Sequence, residues 1–238
     1  MIFSQSRSGS TLLKDLIDSH PSIHCEGEIL ALSEGYITNR FVLKLCRRIP
    51  VPYIYFRKSL SQNEIYGFTL FTYHTPHIKQ CLYSLSRLGW RIIYLKRLDI
   101  VNQAISSIIA LRSQYFHNIE GVVKPKKINF EITEDEFLSA IKKRIDWRQK
   151  ESITLKNIDH LTVYYEKDLE QMNCWQPAAD KIFKHLNIAS VAIHSGLQNT
   201  YSKPYSELIN NYHELIDLLN DSEISESLTG IWNPKFNN

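Results

Sequence analysis

The first residues of the chain place one arginine, one glycine and several hydroxyl side chains together in a short stretch that could bind an anion. Residues 7–11 read Arg-Ser-Gly-Ser-Thr and follow an apolar start at Ile2 and Phe3. A guanidinium group offers parallel N–H donors to phosphate or sulfate oxygens, and serine and threonine hydroxyls add further donors. Charge-assisted hydrogen bonds of this kind contribute about 1.5–3 kcal/mol each, so several of them would hold a phosphate tightly.

The residues around this stretch predict a strand before it and a helix after it. Apolar side chains recur on one helical face at Leu12, Leu13, Leu16 and Ile17. The helix should end near Pro21, because proline disfavours helix in the residue before it. The first N–H groups of a helix lack partners, and the helix dipole adds about half a positive charge there. A strand, a polar glycine loop and a helix therefore predict an anion site, and a serine-rich turn that caps the helix is the alternative.

The loop lacks the signature of the nucleoside triphosphatases. That signature, GxxxxGK[ST], needs a lysine that reaches the phosphates and a hydroxyl that binds magnesium. Here Ser10 follows Gly9, and no lysine stands before Thr11. The strong cation, Arg7, lies ahead of the glycine instead. The pattern argues against a small-molecule or nucleotide kinase, which is kept as an alternative.

Apolar patterns farther along the chain predict an α/β fold. Short β-branched or aromatic runs predict strands at residues 65–73, 91–95 and 161–165. Helical periods predict helices over residues 76–88, 100–111, 133–156 and 205–219. Strands that alternate with helices indicate a mostly parallel sheet. The length of 238 residues, without a repeat or a low-complexity linker, predicts a single domain over residues 1–238.

Composition excludes several classes of protein. The formal net charge of +3 does not favour a nucleic-acid partner, and the chain lacks an apolar run of membrane-spanning length. Met1 is followed almost at once by polar residues and not by an apolar segment, so we expect no signal peptide. The four cysteines match no zinc or CxxC spacing, and the histidines form no HxxxH or HExxH pair, so we expect reduced thiols, a cytoplasmic location and no metal. These cysteines are Cys25, Cys46, Cys81 and Cys174.

Three adjoining segments carry a resemblance to a known family. Residues 7–13 read Arg-Ser-Gly-Ser-Thr-Leu-Leu, residues 18–21 read Asp-Ser-His-Pro, and residues 25–28 read Cys-Glu-Gly-Glu. Together they resemble the sulfotransferases that use 3′-phosphoadenosine 5′-phosphosulfate (PAPS). The pattern HPxIxCxxE is similar to that of tyrosylprotein sulfotransferases and, more loosely, of bacterial carbohydrate and glycolipid sulfotransferases. The resemblance implies a P-loop-kinase-like, three-layer α/β/α fold with a central, mostly parallel sheet, and a transfer step without a metal.

The resemblance also implies which residues bind the nucleotide. The 5′-phosphosulfate would be held by Arg7, Ser8, Gly9, Ser10, Thr11 and Leu12. The 3′-phosphate would be held by Arg97, at a strand end, and by Ser106, nine residues later, where many cytosolic members space the pair by eight. A surface ion pair of about 0–1 kcal/mol is the alternative for Arg97. Tyr201 or Lys203, before a segment similar to the family's C-terminal one, would approach the nucleotide, with an ordinary surface loop as the alternative.

The resemblance predicts a reaction and leaves its base open. The sulfuryl group of PAPS would pass by in-line displacement to an acceptor hydroxyl, most readily on a carbohydrate or glycolipid, and leave 3′-phosphoadenosine 5′-phosphate (PAP). Arg7 and the loop N–H groups suit the charge on the bridging oxygen. The base would be Glu28 first, since the catalytic glutamate of tyrosylprotein sulfotransferases falls at the matching place. His74 is second, since cytosolic family members use a histidine after the equivalent strand, and Glu26, a close neighbour of Glu28, is third. A solvated surface residue is the alternative for each. A catalytically silent nucleotide-binding relative is a further alternative.

Overall fold

The computed structural model describes residues 1–32, 35–113, 118–119, 130–198, 204–224 and 228. The strands in chain order are β1 (Ile2–Ser4), β2 (Ile23–Glu26), β3 (Ile65–Phe71), β4 (Ile93–Lys96), β5 (Asn118–Ile119), β6 (Leu161–Tyr164) and β7 (Leu197–Gln198). The helices are α1 (Ser10–Asp18), α2 (Arg40–Arg48), α3 (Pro50–Leu60), α4 (Ile78–Arg87), α5 (Ile100–Ser113), α6 (Glu134–Leu155), α7 (Trp175–Leu186), α8 (Tyr205–Leu208) and α9 (Tyr212–Asp221).

The chain forms two compact units. The first comprises Met1–Lys96 and Gln149–Ser195, and the second comprises Arg97–Arg148 and Gly196–Asn238. The long helix α6 contributes its first part to the second unit and its last residues to the first. That residues 1–238 make up a single domain stays a prediction.

A five-stranded parallel sheet is the centre of the first unit. Its strand order is β2-β3-β1-β4-β6, and every neighbouring pair runs parallel. The central strand β1 has only three residues and is buried throughout, bonded to β3 on one side and to β4 on the other. Because all the strands run in one direction, the loops that follow β1, β2 and β3 emerge at the same edge of the sheet.

Helices cover both faces of this sheet. Successive residues of a strand point to opposite faces, so Ile2 packs with α1 and α7 while Phe3 packs with α3 and α4. The α1 side includes Leu16 and the α7 residue Phe183, and the other side includes Leu82 of α4. The first unit therefore has three layers, helix, sheet and helix.

The second unit has its own apolar core, built from α5, the start of α6 and the C-terminal helices. Asn211 ties two of its segments together, because its side chain accepts from the Ile132 N–H at 3.2 Å and donates to the Ile132 carbonyl at 2.8 Å. The short strands β5 and β7 pair antiparallel. These contacts hold together elements that are far apart in sequence.

Most of the predicted elements are confirmed, and the differences have local causes. The strands predicted at 65–73, 91–95 and 161–165 appear as β3, β4 and β6, within a few residues. The single helix predicted over 205–219 is wrong, because the chain leaves the helix between α8 and α9. Between these two helices the chain forms backbone hydrogen bonds with Phe130. The Phe130 N–H donates to the Leu208 carbonyl at 3.0 Å, and the Phe130 carbonyl accepts from the Asn210 N–H at 2.9 Å. Strands β2, β5 and β7 and helices α2, α3 and α7 were not predicted.

In the part of the chain that the structure describes, no helix is both long enough and apolar enough to cross a membrane.

Candidate active site

The loop between β1 and α1 is shaped by two residues in the left-handed backbone region. Arg7 has φ 63° and Gly9 has φ 89°. A positive φ is uncommon for a residue with a side chain, and such conformations concentrate at functional sites. The Ser8 hydroxyl fixes the turn from inside by donating to the Gln5 carbonyl at 2.7 Å. Ser8 and Ser10 are both buried, so the loop packs against the rest of the unit and is not a solvent-exposed surface turn.

The N-terminus of α1 is suited to an anion. Its N-cap residue is Gly9, which has no side chain to accept from the first N–H groups of the helix. The first turn carries no acidic residue either. The first bond within the helix runs from the Leu13 N–H to the Gly9 carbonyl at 3.0 Å. The N–H groups of Ser10, Thr11 and Leu12 therefore precede the helical hydrogen-bond ladder and could donate to phosphate or sulfate oxygens.

Close packing at Gly9 gives this glycine a second role. A Cβ atom on Gly9 would lie 2.6 Å from Cδ2 and 2.9 Å from Cε2 of Tyr165. Tyr165 begins the π-helical turn Tyr165–Leu169, which follows β6 in the same unit. The loop can thus approach the tyrosine ring only because residue 9 lacks a side chain.

The two leading candidates for the base lie next to each other. Glu28 follows β2 and His74 follows β3, and these strands are neighbours in the sheet. The Glu28 Oε2 atom is 3.4 Å from Nε2 of His74. His74 is only 1% exposed, whereas the Glu28 side chain keeps 26% exposure. Sequence analysis gave Glu28 and His74 as alternative bases, and in the structure their side chains contact each other.

The environment of His74 defines its tautomer. The Phe71 N–H donates to Nδ1 of His74 at 3.2 Å, so Nδ1 is an acceptor and carries no proton. The remaining ring proton then lies on Nε2, which faces the Glu28 carboxylate. Burial lowers the pKa of His74 below its usual value and outweighs the opposite effect of Glu28. His74 is therefore a neutral imidazole that donates to Glu28 from Nε2.

Glu26, the third candidate base, has a different environment. Both of its oxygens accept from Arg57, through Nε at 3.1 Å and through Nη2. The Tyr66 hydroxyl also donates to it, and the side chain is buried. Burial, together with the bond to Glu26, raises the pKa of Tyr66 well above its usual range. These partners favour a structural role for Glu26, which ties β2 to α3 and β3.

A buried carboxylate that the sequence did not reveal lies near the start of the loop. Glu151 of α6 accepts from Gln5 Nε2 at 3.1 Å and from the Tyr94 hydroxyl at 2.9 Å. The Thr72 hydroxyl donates to its other oxygen. Gln5 belongs to the β1–α1 loop, so Glu151 links that loop to β4 and to Thr72, the residue that follows β3. The family resemblance does not extend to residues 115–160, so only a buried polar position in an amphipathic helix could have indicated Glu151.

The proposed 3′-phosphate residues belong to the second unit. Arg97 follows β4 directly in sequence, and its carbonyl accepts from Nη2 of Arg148. Ser106 is buried on α5. The start of α5 is held by Asp99, which accepts from the Asn102 N–H at 2.9 Å and from the Asn102 side chain at 2.6 Å. Arg97 thus leads into a well-fixed helix N-terminus, and its phosphate role stays a prediction.

Two of the predicted nucleotide-binding residues, Tyr201 and Lys203, are not among those that the structure describes.

Within the described residues, no group of three or more His, Cys, Asp or Glu side chains could hold a metal ion. The four cysteines are free, and burial raises the pKa of Cys25 and of Cys81 to about 12, so these two thiols are poor nucleophiles.

Comparison with known proteins gives a match by structure alone. No family model and no curated protein matches the sequence. Among solved structures, a sulfotransferase from Alicyclobacillus acidocaldarius is similar, with a TM-score of 0.53 and 12% sequence identity. The match covers 97% of this chain and 94% of that one. At this identity the likeness concerns the fold, and it confirms the predicted α/β class: a P-loop-kinase-like fold with a central parallel sheet between helices.

Proposed function

We propose that this protein is a sulfotransferase that uses PAPS and sulfates a hydroxyl group on a carbohydrate or glycolipid. The observation that carries the proposal is a juxtaposition within the first unit. A loop suited to anions follows β1, and the Glu28–His74 pair follows β2 and β3 at the same edge of the sheet. The sequence resemblance and the fold similarity to a sulfotransferase support the same reading.

The loop would bind the 5′-phosphosulfate end of PAPS. The N–H groups at the start of α1 and the hydroxyls of Ser10 and Thr11 are the donors, and Arg7 adds a fixed positive charge. When bound, PAPS would supply the sulfuryl group. Removing one such donor from a transfer site typically costs about 2.7–4 kcal/mol in the barrier. The assignment of Arg97 and Ser106 to the 3′-phosphate rests on the resemblance and is part of the proposal.

Glu28 is the base in this proposal, and His74 positions it. Glu28 retains solvent access, so an acceptor hydroxyl could reach its carboxylate. His74 is buried and uses Nδ1 to accept from Phe71, which leaves its Nε2–H to orient Glu28. A neutral histidine that donates to a carboxylate keeps that carboxylate in one orientation without contributing a proton itself.

Nucleotide binding separates this proposal from a kinase. PAP at about 100 times its Kd should stabilise the protein by about 2.7 kcal/mol, since it binds only the folded state. For a chain of this size, that corresponds to an increase of roughly 5–11 °C in Tm, with no need for magnesium. Stabilisation by ATP with magnesium, and none by PAP, would favour the kinase alternative and contradict the proposal.

Labelled sulfate transfer tests the reaction and the base together. PAPS is supplied with a panel of glycans, glycolipids, phenols and tyrosine peptides. Glu28→Gln should lower the transfer rate by about 100- to 10,000-fold, the usual contribution of a general base, without changing the PAP-induced shift in Tm. Asp159→Asn, whose side chain is 85% exposed in the same unit, is the matched control and should keep full activity. PAP binding without transfer to any acceptor would favour the silent relative.

A further inference from the structure

Residues 35–63 form a stretch of unusual charge. It contains Arg40, Lys44, Arg47, Arg48, Arg57 and Lys58 and no aspartate or glutamate. The whole chain, by contrast, has 28 basic and 25 acidic residues. This stretch includes helices α2 and α3, which pack on each other in the first unit. Two adjoining helices therefore carry positive charge only.

One face of α2 is apolar and open to solvent. Phe41 is 86% exposed, Leu45 58% and Ile49, the residue that ends the helix, 55%. At about 100° per residue these positions, with Val42, fall within an arc of about 100°. Leu43, on another side of the helix, is the buried residue that packs against the unit. The exposed apolar arc is therefore separate from the face that stabilises the fold.

The exposed cations of α2 lie beside that apolar arc. Arg40, Lys44 and Arg48 are exposed and fall on one neighbouring side of the helix. Two other cations of the stretch have structural tasks: Arg47 donates to the Leu30 carbonyl at 2.9 Å, and Arg57 binds Glu26. A short helix with a solvent-facing apolar arc and a flanking cationic arc is typical of segments that lie in a membrane interface.

Helix α3 adds a second exposed apolar pair. Phe56 and Leu60 are each 56% exposed and lie one turn apart on the same face of the helix. Scattered exposed apolar residues are ordinary, whereas exposed apolar sets on two adjoining helices make these helices a candidate interaction surface.

We propose that α2 and α3 form a docking surface for a lipid bilayer that contains anionic lipids. Charge complementarity selects this occupant, because the stretch offers four exposed cations, Arg40, Lys44, Arg48 and Lys58, and contains no acid. A second copy of the chain is disfavoured, since a symmetric contact would bring the same cations of both copies together. The surface lies outside the residues assigned to the sulfate-transfer site, and the docking does not depend on that reaction.

Vesicle flotation tests the proposal with the full-length protein. The protein should float with vesicles of phosphatidylcholine and phosphatidylserine, and not with phosphatidylcholine alone. Phe41→Ser with Leu45→Ser should lower the partition coefficient at least roughly 100-fold, because burying one such side chain is worth about tenfold or more. Replacing Arg40, Lys44 and Arg48 by glutamine should also lower it roughly 100-fold, at about fivefold per cation. All five side chains are exposed, so these variants should fold, and circular dichroism checks this.

A matched control distinguishes this surface from exposed residues in general. Ile153→Ser with Lys150→Gln changes a 64% exposed isoleucine and an exposed lysine on α6, and it should leave flotation unchanged. No flotation of the unaltered protein, or equal flotation of the α2 variants and the control, would overturn the proposal. A third outcome would also overturn it. If the unaltered protein is a dimer by light scattering, and the Phe41→Ser, Leu45→Ser variant loses that dimer but still floats, then a second copy of the chain, and not a bilayer, covers this surface.

Discussion

Gly9→Ala is the substitution whose effect follows most directly from the structure. Gly9 stands at the N-cap of α1 with φ 89°, in the left-handed region that residues with a side chain rarely adopt. A Cβ atom there would also lie 2.6 Å from Cδ2 of Tyr165. The substitution therefore adds backbone strain and a steric overlap in one step.

The two contributions can be estimated separately. A residue with a Cβ in the left-handed region costs about 1–2 kcal/mol. Carbon atoms prefer separations of about 3.5–4.0 Å, so the Tyr165 ring would have to move by about 1 Å. Such overpacking costs about 1–3 kcal/mol. Gly9→Ala should thus lower the free energy of unfolding by about 2–5 kcal/mol and weaken PAP binding, because the loop has to shift.

Gly89→Ala is the matched control for the backbone contribution. Gly89 has φ 84°, but a Cβ built on it meets no heavy atom of the described residues within 4 Å. It should cost only about 1–2 kcal/mol and leave PAP binding unchanged. Urea unfolding measures both variants, and both glycines belong to the first unit. Combining Gly9→Ala with Tyr165→Ala then shows whether the ring is responsible, because the overlap disappears in the double variant.

The reasoning would be refuted if Gly9→Ala and Gly89→Ala destabilised the protein equally. It would also be refuted if Tyr165→Ala left the cost of Gly9→Ala unchanged.

Two further predictions concern buried polar groups. Burial lowers the pKa of His74 below its ordinary 6.5. As the pH falls below about 6.5, this histidine takes up a proton in the unfolded chain but not in the native state. The free energy of unfolding should therefore fall with pH in this range. His74→Gln cannot titrate, so its unfolding free energy should fall less steeply than that of the unaltered protein in the same pH range, and an identical slope would contradict the assignment. Glu151→Leu leaves the donors from Gln5, Thr72 and Tyr94 unsatisfied and should cost about 3–5 kcal/mol in urea unfolding, more than Glu151→Gln, which keeps one acceptor oxygen. A leucine variant as stable as the unaltered protein would show that the carboxylate has no structural task.

Local sequence carries much of the information about the β1–α1 loop. An apolar strand, a polar loop with Gly9 and a helix with one apolar face are all encoded within about twenty residues, and the structure has them in that order. Glu28 and His74 were named as separate candidates from the family resemblance. Their pairing was not predictable, because it depends on β2 and β3 being neighbours, and β2 itself was not recognised in Ile-His-Cys-Glu.

Longer-range relations account for what the sequence did not show. Glu151 is a carboxylate in a charged amphipathic helix, and its pattern does not tell it apart from solvated neighbours such as Lys150. Its role depends on donors from residues 5, 72 and 94, which the fold brings to it. The interruption between α8 and α9 has the same origin, since Phe130 is far away in sequence. Tertiary partners override local propensity in each of these cases.

The strand order has a consequence for the way the site can open. β1, which precedes the proposed anion-binding loop, is bonded on both sides, whereas β2, which precedes Glu28, is an edge strand. On its outer side the Cys25 N–H donates to Asp18 Oδ1 at 2.6 Å, a side-chain contact in place of another strand. Amide hydrogens of edge elements commonly exchange through smaller openings than those of a central strand. A fluctuation that detaches β2 would therefore displace the carboxylate while the loop after β1 keeps its shape.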